Sequence, residues 1–240
     1  MHQGFWPTAL LLTCEHAGNR VPAAFAAAFA GEEAQRALVS HRGYDIGALQ
    51  LAKALSRDLA VPLIACTVTR LLVETNRSPH HRALFSSFAM ALSPQKRALA
   101  VTRYYVPHRA RVAQAVAGLV SEGQRVLHIA VHSFTPWLAG QERAAEIGLL
   151  YDPRRESERR VCAFLQRNLH ARLPKYRVRR NYPYRGAADG LTKALRLAHS
   201  QRAYVGVELE VNQRLLRGGA PRDLRQALTA ALADVLRGAD

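Results

Sequence analysis

The sequence predicts an α/β protein in which helices surround a mainly parallel or mixed β-sheet. Apolar runs at residues 9–13 and 61–69 are typical of buried strands, and residues 45–59 between them repeat apolar side chains at helical spacing. This order favours parallel pairing, because parallel neighbours need a long crossover and a helix usually provides it. Near the other end, residues 203–211 alternate valine and leucine with glutamate, as strands do.

The remaining elements follow from the same patterns, taken in chain order. The first strand stops at polar Glu15 and His16, and a loop follows it. The expected later elements are a helix over 93–121 broken near Pro107, strands over 125–134, 147–151 and 203–211, and helices over 156–173 and 222–236.

The composition indicates one globular domain over residues 1–240. A hydrophobic fraction of 49% supplies a sizeable core, and no repeat or linker interrupts the chain. Its apolar runs are far shorter than the roughly 20 residues of a membrane span, and no signal-peptide pattern is present. Three cysteines without a C-x-x-C unit are typical of reduced thiols. We therefore expect a cytoplasmic protein without a membrane partner.

The net charge of +16, from 34 Lys and Arg against 18 Asp and Glu, has two interpretations. The favoured one is an arginine-rich solvated surface, since the basic residues are spread along the chain. The other is attraction of an anion or of nucleic acid, with the denser runs at 154–160 and 175–180 as candidates. Nucleic-acid binding is the less favoured interpretation, because only the charge suggests it.

Two histidines follow apolar strands, at the position where open α/β sheets bind their ligands. His16 and His132 are far apart in sequence, but strand ends on one edge of a sheet bring side chains together. Imidazole is the commonest protein ligand for zinc, and a catalytic zinc needs about three protein ligands. Either histidine alone also fits a hydrogen-bonded core residue, whereas the pair with nearby carboxylates favours a metal site.

Two carboxylates, Glu208 and Glu210, alternate with valines and therefore share one face of the last strand. Near a metal site, either one is suited to take a proton from water. The alternative is a solvent-facing strand edge in which one of them pairs with an arginine.

A polar cluster of Arg70, Asn76 and Arg77 follows the strand at 61–69. A guanidinium binds a carboxylate through two parallel hydrogen bonds, and an amide adds direction. The cluster therefore suits a small-molecule substrate that carries a carboxylate. The alternative is a structural salt bridge with Glu74.

Five motifs together resemble the N-formylglutamate amidohydrolase family in order and spacing, over about residues 8–217. They are TCEHAGNRVP at 13–22, YDIGA at 44–48, TNRSP at 75–79, HSFTP at 132–136 and GVELEV at 206–211. The resemblance implies a three-layer α/β/α fold of the phosphorylase/hydrolase-like type, similar to zinc carboxypeptidases. It also implies hydrolysis of a non-peptide amide, typically N-formyl-L-glutamate to formate and glutamate in histidine breakdown.

The resemblance further implies roles for single residues. His16 and His132 are expected to bind zinc or another divalent metal, and Glu210 to activate water. Asn76 and Arg77 are expected to hold the substrate's carboxylate, and Arg70 to polarise the scissile carbonyl.

The third metal ligand is where the chain departs from the carboxypeptidase pattern. Carboxypeptidases supply a glutamate three positions after the first histidine, whereas this chain has Asn19. Asp45 is the preferred candidate and Glu15 the alternative, although Asp45 would also suit a helix N-cap. Some members of the family have no settled substrate, so hydrolysis of another N-acyl amino acid, or of a peptide as in a carboxypeptidase or amidase, stays as the alternative activity.

Overall fold

The computed structural model describes residues 6–238 and contains a mixed sheet with helices on both faces. The strands of this sheet are β1 (Ala9–Cys14), β2 (Leu63–Ala65), β3 (Val126–Phe134), β6 (Ile147–Leu150), β7 (Val178–Arg180) and β8 (Tyr204–Asn212). A separate hairpin contains β4 (Trp137–Leu138) and β5 (Gln141–Glu142).

The helices lie between and after the strands. They are α1 (Glu32–Leu38), α2 (Ala48–Leu59), α3 (Ser87–Met90), α4 (Pro94–Ala100), α5 (Val106–Ser121), α6 (Glu156–Arg172), α7 (Leu191–Ala198) and α8 (Arg222–Arg237), with 3-10 turns at Ala23–Phe29 and Gln213–Leu215. Within residues 6–238, none of these helices combines the length and apolarity that crossing a bilayer requires.

The strand order in the sheet is β2-β1-β3-β8-β6-β7. Parallel pairing joins β1 to β2 and β3, β3 to β8, and β6 to β7, whereas β6 runs antiparallel to β8. The α/β class and the three-layer arrangement expected from the sequence are confirmed. The antiparallel β6 makes the sheet mixed.

The two faces of the sheet carry different side chains. On β3, Leu127, Ile129 and Val131 join the larger core, which includes apolar side chains of α2, α6 and α8. The alternate positions point to the other face, where Val126 packs with residues of α5 and α7. His132 shares this second face, because it is an even number of residues from Val126.

The expected break near Pro107 is absent, since helical backbone continues from residue 94 to residue 121. A π-helical segment, Val101–Tyr105, joins α4 to α5, and Pro107 lies in the first turn of α5. Proline removes one N–H from the helical hydrogen-bond ladder, and the wider π turn immediately before it alters the hydrogen bonds there, so the helix continues past it.

Two other elements are shorter than the sequence pattern predicts. The strand expected over 61–69 is limited to Leu63–Ala65, because the following backbone instead bonds to the loop after β1, as in Ala17 N–H to Cys66 O. The helix expected from residue 45 begins at Ala48, after Gly47 in a left-handed conformation. Asp45 therefore lies outside the helix, and its side chain does not cap it.

Candidate active site

Polar side chains collect at the carboxyl ends of β1, β3 and β8, on the face covered by α5 and α7. A cavity of about 430 Å³ opens there. Its lining residues are His16, Asp45, Arg70, Asn76, Arg77, His132, Ser133, Tyr184, Arg185, Ala188, Asp189, Glu208 and Glu210. Every site residue named from the sequence as metal ligand, base or substrate contact lies in this wall, so the structure brings all eight together.

His16, Asp45 and His132 form a buried group able to hold a metal ion, since one ligand atom from each lies within 4.8 Å of the others. Oδ2 of Asp45 is 3.2 Å from Nδ1 of His16 and 2.8 Å from Nδ1 of His132. The Asp45 side chain also accepts the backbone N–H of Ser133 at 3.3 Å. The alternative interpretation of Asp45 as a helix cap is wrong, because its carboxylate faces the histidines.

Two further glutamates contact the outer nitrogens of these rings. Nε2 of His16 lies 2.5 Å from Oε1 of Glu74, and Nε2 of His132 lies 3.1 Å from Oε2 of Glu15. If each Nε2 donates to its glutamate, a neutral ring turns its Nδ1 lone pair toward the Asp45 oxygen. Two such lone pairs facing a carboxylate repel it unless a proton or a cation lies between them, so these residues fit a divalent metal.

The charges around the two rings oppose the effect of burial. Burial lowers the pKa of His132, but hydrogen bonds and charges from Asp45 and Glu15 outweigh it and hold that pKa well above its usual range. Burial and the Arg70 charge lower the pKa of His16, but Glu74 and Asp45 raise it by more. The net effect is a pKa above the usual value for histidine. Without a metal, the carboxylates therefore favour the protonated form of both rings.

Glu15, the alternative third ligand, and Asn19, which stands where carboxypeptidases have their glutamate, lie outside the group. Glu15 contacts His132 from the side opposite Asp45, and its second oxygen is 3.7 Å from Nε2 of His108. The side-chain amide of Asn19 donates to the Leu38 carbonyl at 3.1 Å. Neither side chain belongs to the cluster of possible ligands in residues 6–238.

Glu210 stands beside the candidate metal-binding group, directly opposite His132 in the register of β8 and β3. Burial raises its pKa to about 7, against the favourable charge of His132. Within residues 6–238, its Oε2 atom has no hydrogen-bond partner. Glu208 shares the face, as predicted, but its Oε1 accepts the Thr192 hydroxyl at 2.7 Å.

Arg70 forms the salt bridge considered from the sequence. Its Nε donates to Oε2 of Glu74 at 2.7 Å, and its Nη1 donates to Oδ1 of Asp45 at 3.3 Å. The guanidinium therefore connects two carboxylates around His16 and still lines the cavity. A role at the scissile carbonyl stays a prediction.

Asn76 and Arg77 are held by the loop before α7, which the sequence patterns did not identify as part of the site. Oδ1 of Asn76 accepts the Leu191 N–H at 2.8 Å, and Nη1 of Arg77 donates to the Asp189 carbonyl at 2.9 Å. The same loop adds Arg185 to the cavity wall. Within residues 6–238, no carboxylate lies within ion-pair distance of Arg77 or Arg185.

Comparisons with known proteins agree with this architecture. The family model described as N-formylglutamate amidohydrolase matches residues 8–217. The crystal structure of gene product Atu2144 from Agrobacterium tumefaciens is similar with 27% identity and a TM-score of 0.77, over 98% of this chain and 91% of that one. The N-formylglutamate amidohydrolase from Ralstonia eutropha JMP134 is similar in fold, with 20% identity and a TM-score of 0.68, over 97% and 93% of the two chains.

No curated protein sequence matches the chain at a significant level. The family match nonetheless spans most of its 240 residues and contains the strand ends that build the cavity. The chain therefore belongs to the N-formylglutamate amidohydrolase family, a family of hydrolases that act on amide bonds.

Proposed function

We propose that this protein is a zinc-dependent amidohydrolase that cleaves an N-formyl or related N-acyl amino acid, such as N-formyl-L-glutamate, to formate and the amino acid. The observation that carries the proposal is the convergence of His16, Asp45 and His132 beside Glu210, whose buried Oε2 atom has no hydrogen-bond partner within residues 6–238. A divalent metal bound there supplies Lewis-acid chemistry, which polarises a carbonyl and makes water more acidic.

Substrate binding is assigned to the cationic side of the cavity. Arg77 and Asn76 bind the carboxylate of the amino acid, since a guanidinium provides two parallel donors and an amide a third. Arg185 adds a second positive charge to the wall. These groups leave the acyl end of the substrate to face Glu210 and the histidines.

The proton transfers are assigned to Glu210. It takes a proton from the attacking water as a C–O bond forms at the formyl carbon, and returns that proton to the amino-acid nitrogen as the C–N bond breaks. A pKa near 7 suits both transfers, because the carboxyl group then gains and loses a proton with little cost at neutral pH. Arg70 stabilises the negative charge that develops on the carbonyl oxygen. It uses the N–H groups that do not already donate to Glu74 and Asp45.

The test is a metal analysis followed by a substrate panel. Purified protein should contain about one zinc per chain, and N-formyl-L-glutamate should release formate, detected with formate dehydrogenase. Matched N-acetyl and peptide substrates then separate deformylation from amidase or carboxypeptidase activity. Turnover of the peptides alone would favour the alternative activity. The single-domain organisation, the role in histidine breakdown and the cytoplasmic location belong to the same proposal.

Nucleic-acid binding is the weaker alternative, because several residues of the dense basic runs have acidic partners. Arg154 pairs with Asp152 at 2.8 Å, and Lys175 pairs with Asp223 at 3.0 Å. Arg177 likewise contacts Glu146 at 3.3 Å. DNA binding with a steep salt dependence would support this alternative.

A further inference from the structure

A closed ring of charged groups surrounds His16. Its Nε2 atom contacts Glu74, and Glu74 accepts a hydrogen bond from Arg70. Arg70 then reaches Asp45, whose second oxygen returns to Nδ1 of His16. The backbone N–H of Asn76 also donates to Glu74 at 3.0 Å. The Glu74 carboxylate is thus held from three directions and has one orientation relative to the imidazole.

His132 is supported by a line of contacts that does not close into a ring. Oε2 of Glu15 lies 3.1 Å from Nε2 of His132, and Oε1 of Glu15 lies 3.7 Å from Nε2 of His108 in α5. Glu15 is 1% exposed, so water does not compete for its carboxylate.

We propose that Glu15 and Glu74 are the positioning residues of the metal centre. Glu74 accepts the Nε2–H of His16 at 2.5 Å, and the Glu15 carboxylate lies within ion-pair distance of Nε2 of His132. A negative charge beside each Nε2 favours a hydrogen on that atom, and this fixes both imidazoles in the tautomer whose Nδ1 lone pair faces Asp45. The inference rests on the proposed metal dependence and adds the two residues that prepare the ligands for it. Neither glutamate is among the lining residues of the cavity, so neither contacts the substrate.

The physical reason lies in the two tautomers of a neutral imidazole. With a carboxylate at Nε2, the Nε2–H tautomer gains a charge-assisted hydrogen bond, and the Nδ1 atom keeps its lone pair. Without that carboxylate, the ring can place its hydrogen on Nδ1 and donate to Asp45, and it then has no lone pair for a metal at that position. Outer carboxylates of this kind typically change metal affinity by about 10- to 100-fold.

The first experiment measures zinc affinity by competition with a chromogenic chelator. Glu15→Gln and Glu74→Gln should each bind zinc about 10- to 100-fold more weakly than the unmodified protein. Glu146→Gln is the matched control, since Glu146 is a buried carboxylate that contacts Arg177 and Arg214 instead of a histidine. Thermal unfolding of the metal-free forms establishes that the variants are folded. Folded Glu15→Gln and Glu74→Gln variants with unchanged affinity would overturn the inference.

The second experiment uses the unmodified protein and so does not depend on how the variants fold. Long-range proton–nitrogen NMR of the zinc-loaded, histidine-labelled protein should show His16 and His132 as Nε2–H tautomers. A hydrogen on Nδ1 of either ring would refute the inference. If the unmodified protein binds no zinc at all, the proposed function fails first, whereas zinc binding with unaffected variants rejects only the positioning role.

Discussion

Glu210 and His132 lie directly opposite each other on the parallel strands β8 and β3, with Cα atoms in register. Both side chains leave the sheet on the same face and reach the same cavity. A candidate metal ligand and a carboxylate are thereby fixed side by side by backbone pairing, so their relation does not depend on a loop.

This pairing predicts that Glu210→Gln keeps its metal and loses turnover. The amide has the same shape but cannot take a proton, so kcat should fall roughly 100- to 10,000-fold. Steady-state kinetics with zinc analysis measure both quantities. Glu208→Gln is the comparison, and we expect a smaller loss because the Glu208 carboxylate already accepts the Thr192 hydroxyl. Equal losses in the two variants would leave the base unassigned.

Arg77→Lys should raise KM and change kcat little. A lysine keeps the charge but cannot form the two parallel hydrogen bonds that a guanidinium offers a carboxylate. Initial rates over a range of N-formyl-L-glutamate concentrations separate the two constants. The exposed Arg82→Lys is the control and should behave like the unmodified protein. An unchanged KM in Arg77→Lys would indicate a structural role through the Asp189 carbonyl.

Removal of zinc with a chelator should abolish activity, and added zinc should restore it. Apparent affinity should increase with pH, because His16 and His132 have raised pKa values and must release protons before they bind a metal. The rise should therefore extend above the usual imidazole pKa of about 6.5. Asp45→Asn should bind zinc weakly at every pH. Full activity after exhaustive chelation would contradict metal dependence.

His128 predicts a separate loss of stability in acid. Its ring is buried between the Thr13 and Tyr204 hydroxyls, at 2.8 and 2.7 Å, and burial lowers its pKa to about 4. The unfolded chain therefore binds the proton first, so this ring's contribution is complete above pH 6.5 and declines toward pH 4. The loss is about 3 kcal/mol of unfolding free energy.

Urea unfolding of the metal-free protein between pH 7 and pH 4 tests this contribution. His128→Gln has no titrating ring, so its stability should fall less over the same range, even if it starts lower. Parallel pH profiles for the two proteins would show that His128 is not the titrating group.

Gly148 in β6 leaves no room for a side chain. A Cβ atom there would collide with the Tyr182 carbonyl and lie 3.2 Å from Cβ of Glu210. Gly148→Ala should destabilise the fold by about 1–3 kcal/mol and lower activity, since both neighbours must move. Gly118→Ala, in an exposed part of α5 with open space around it, should instead stabilise by up to about 1 kcal/mol. Thermal and urea unfolding measure both.

The strands that build the site were predictable because their patterns are strong. Apolar runs ending in polar residues identified β1 and β3, and alternation placed Glu208 and Glu210 on one face. Asp45 was harder, because an aspartate just before a helix fits a cap and a ligand equally well until the backbone at Gly47 is known. It was preferred as third ligand because it opens a helix beside the first strand and zinc accepts an acidic oxygen, and the geometry is consistent with that choice.

The outer parts of the site could not be predicted from local patterns. His108 is one residue in a long helix, and nothing in its spacing indicates a contact with Glu15. The segment from β7 to α7 lacks a clear hydrophobic periodicity, so the sequence did not predict that Arg185 and Asp189 line the cavity. Such contacts depend on how distant loops pack, which periodicity along the chain does not encode.

The strand order has a consequence for a chain that is still leaving the ribosome. His16, Asp45 and His132 have all been synthesised once β3 is complete, but Glu210 and the partner strand that holds it come almost eighty residues later. A nascent protein would thus carry the candidate metal-binding group well before the carboxylate proposed as its base, and the cavity is complete only when β8 docks beside β3.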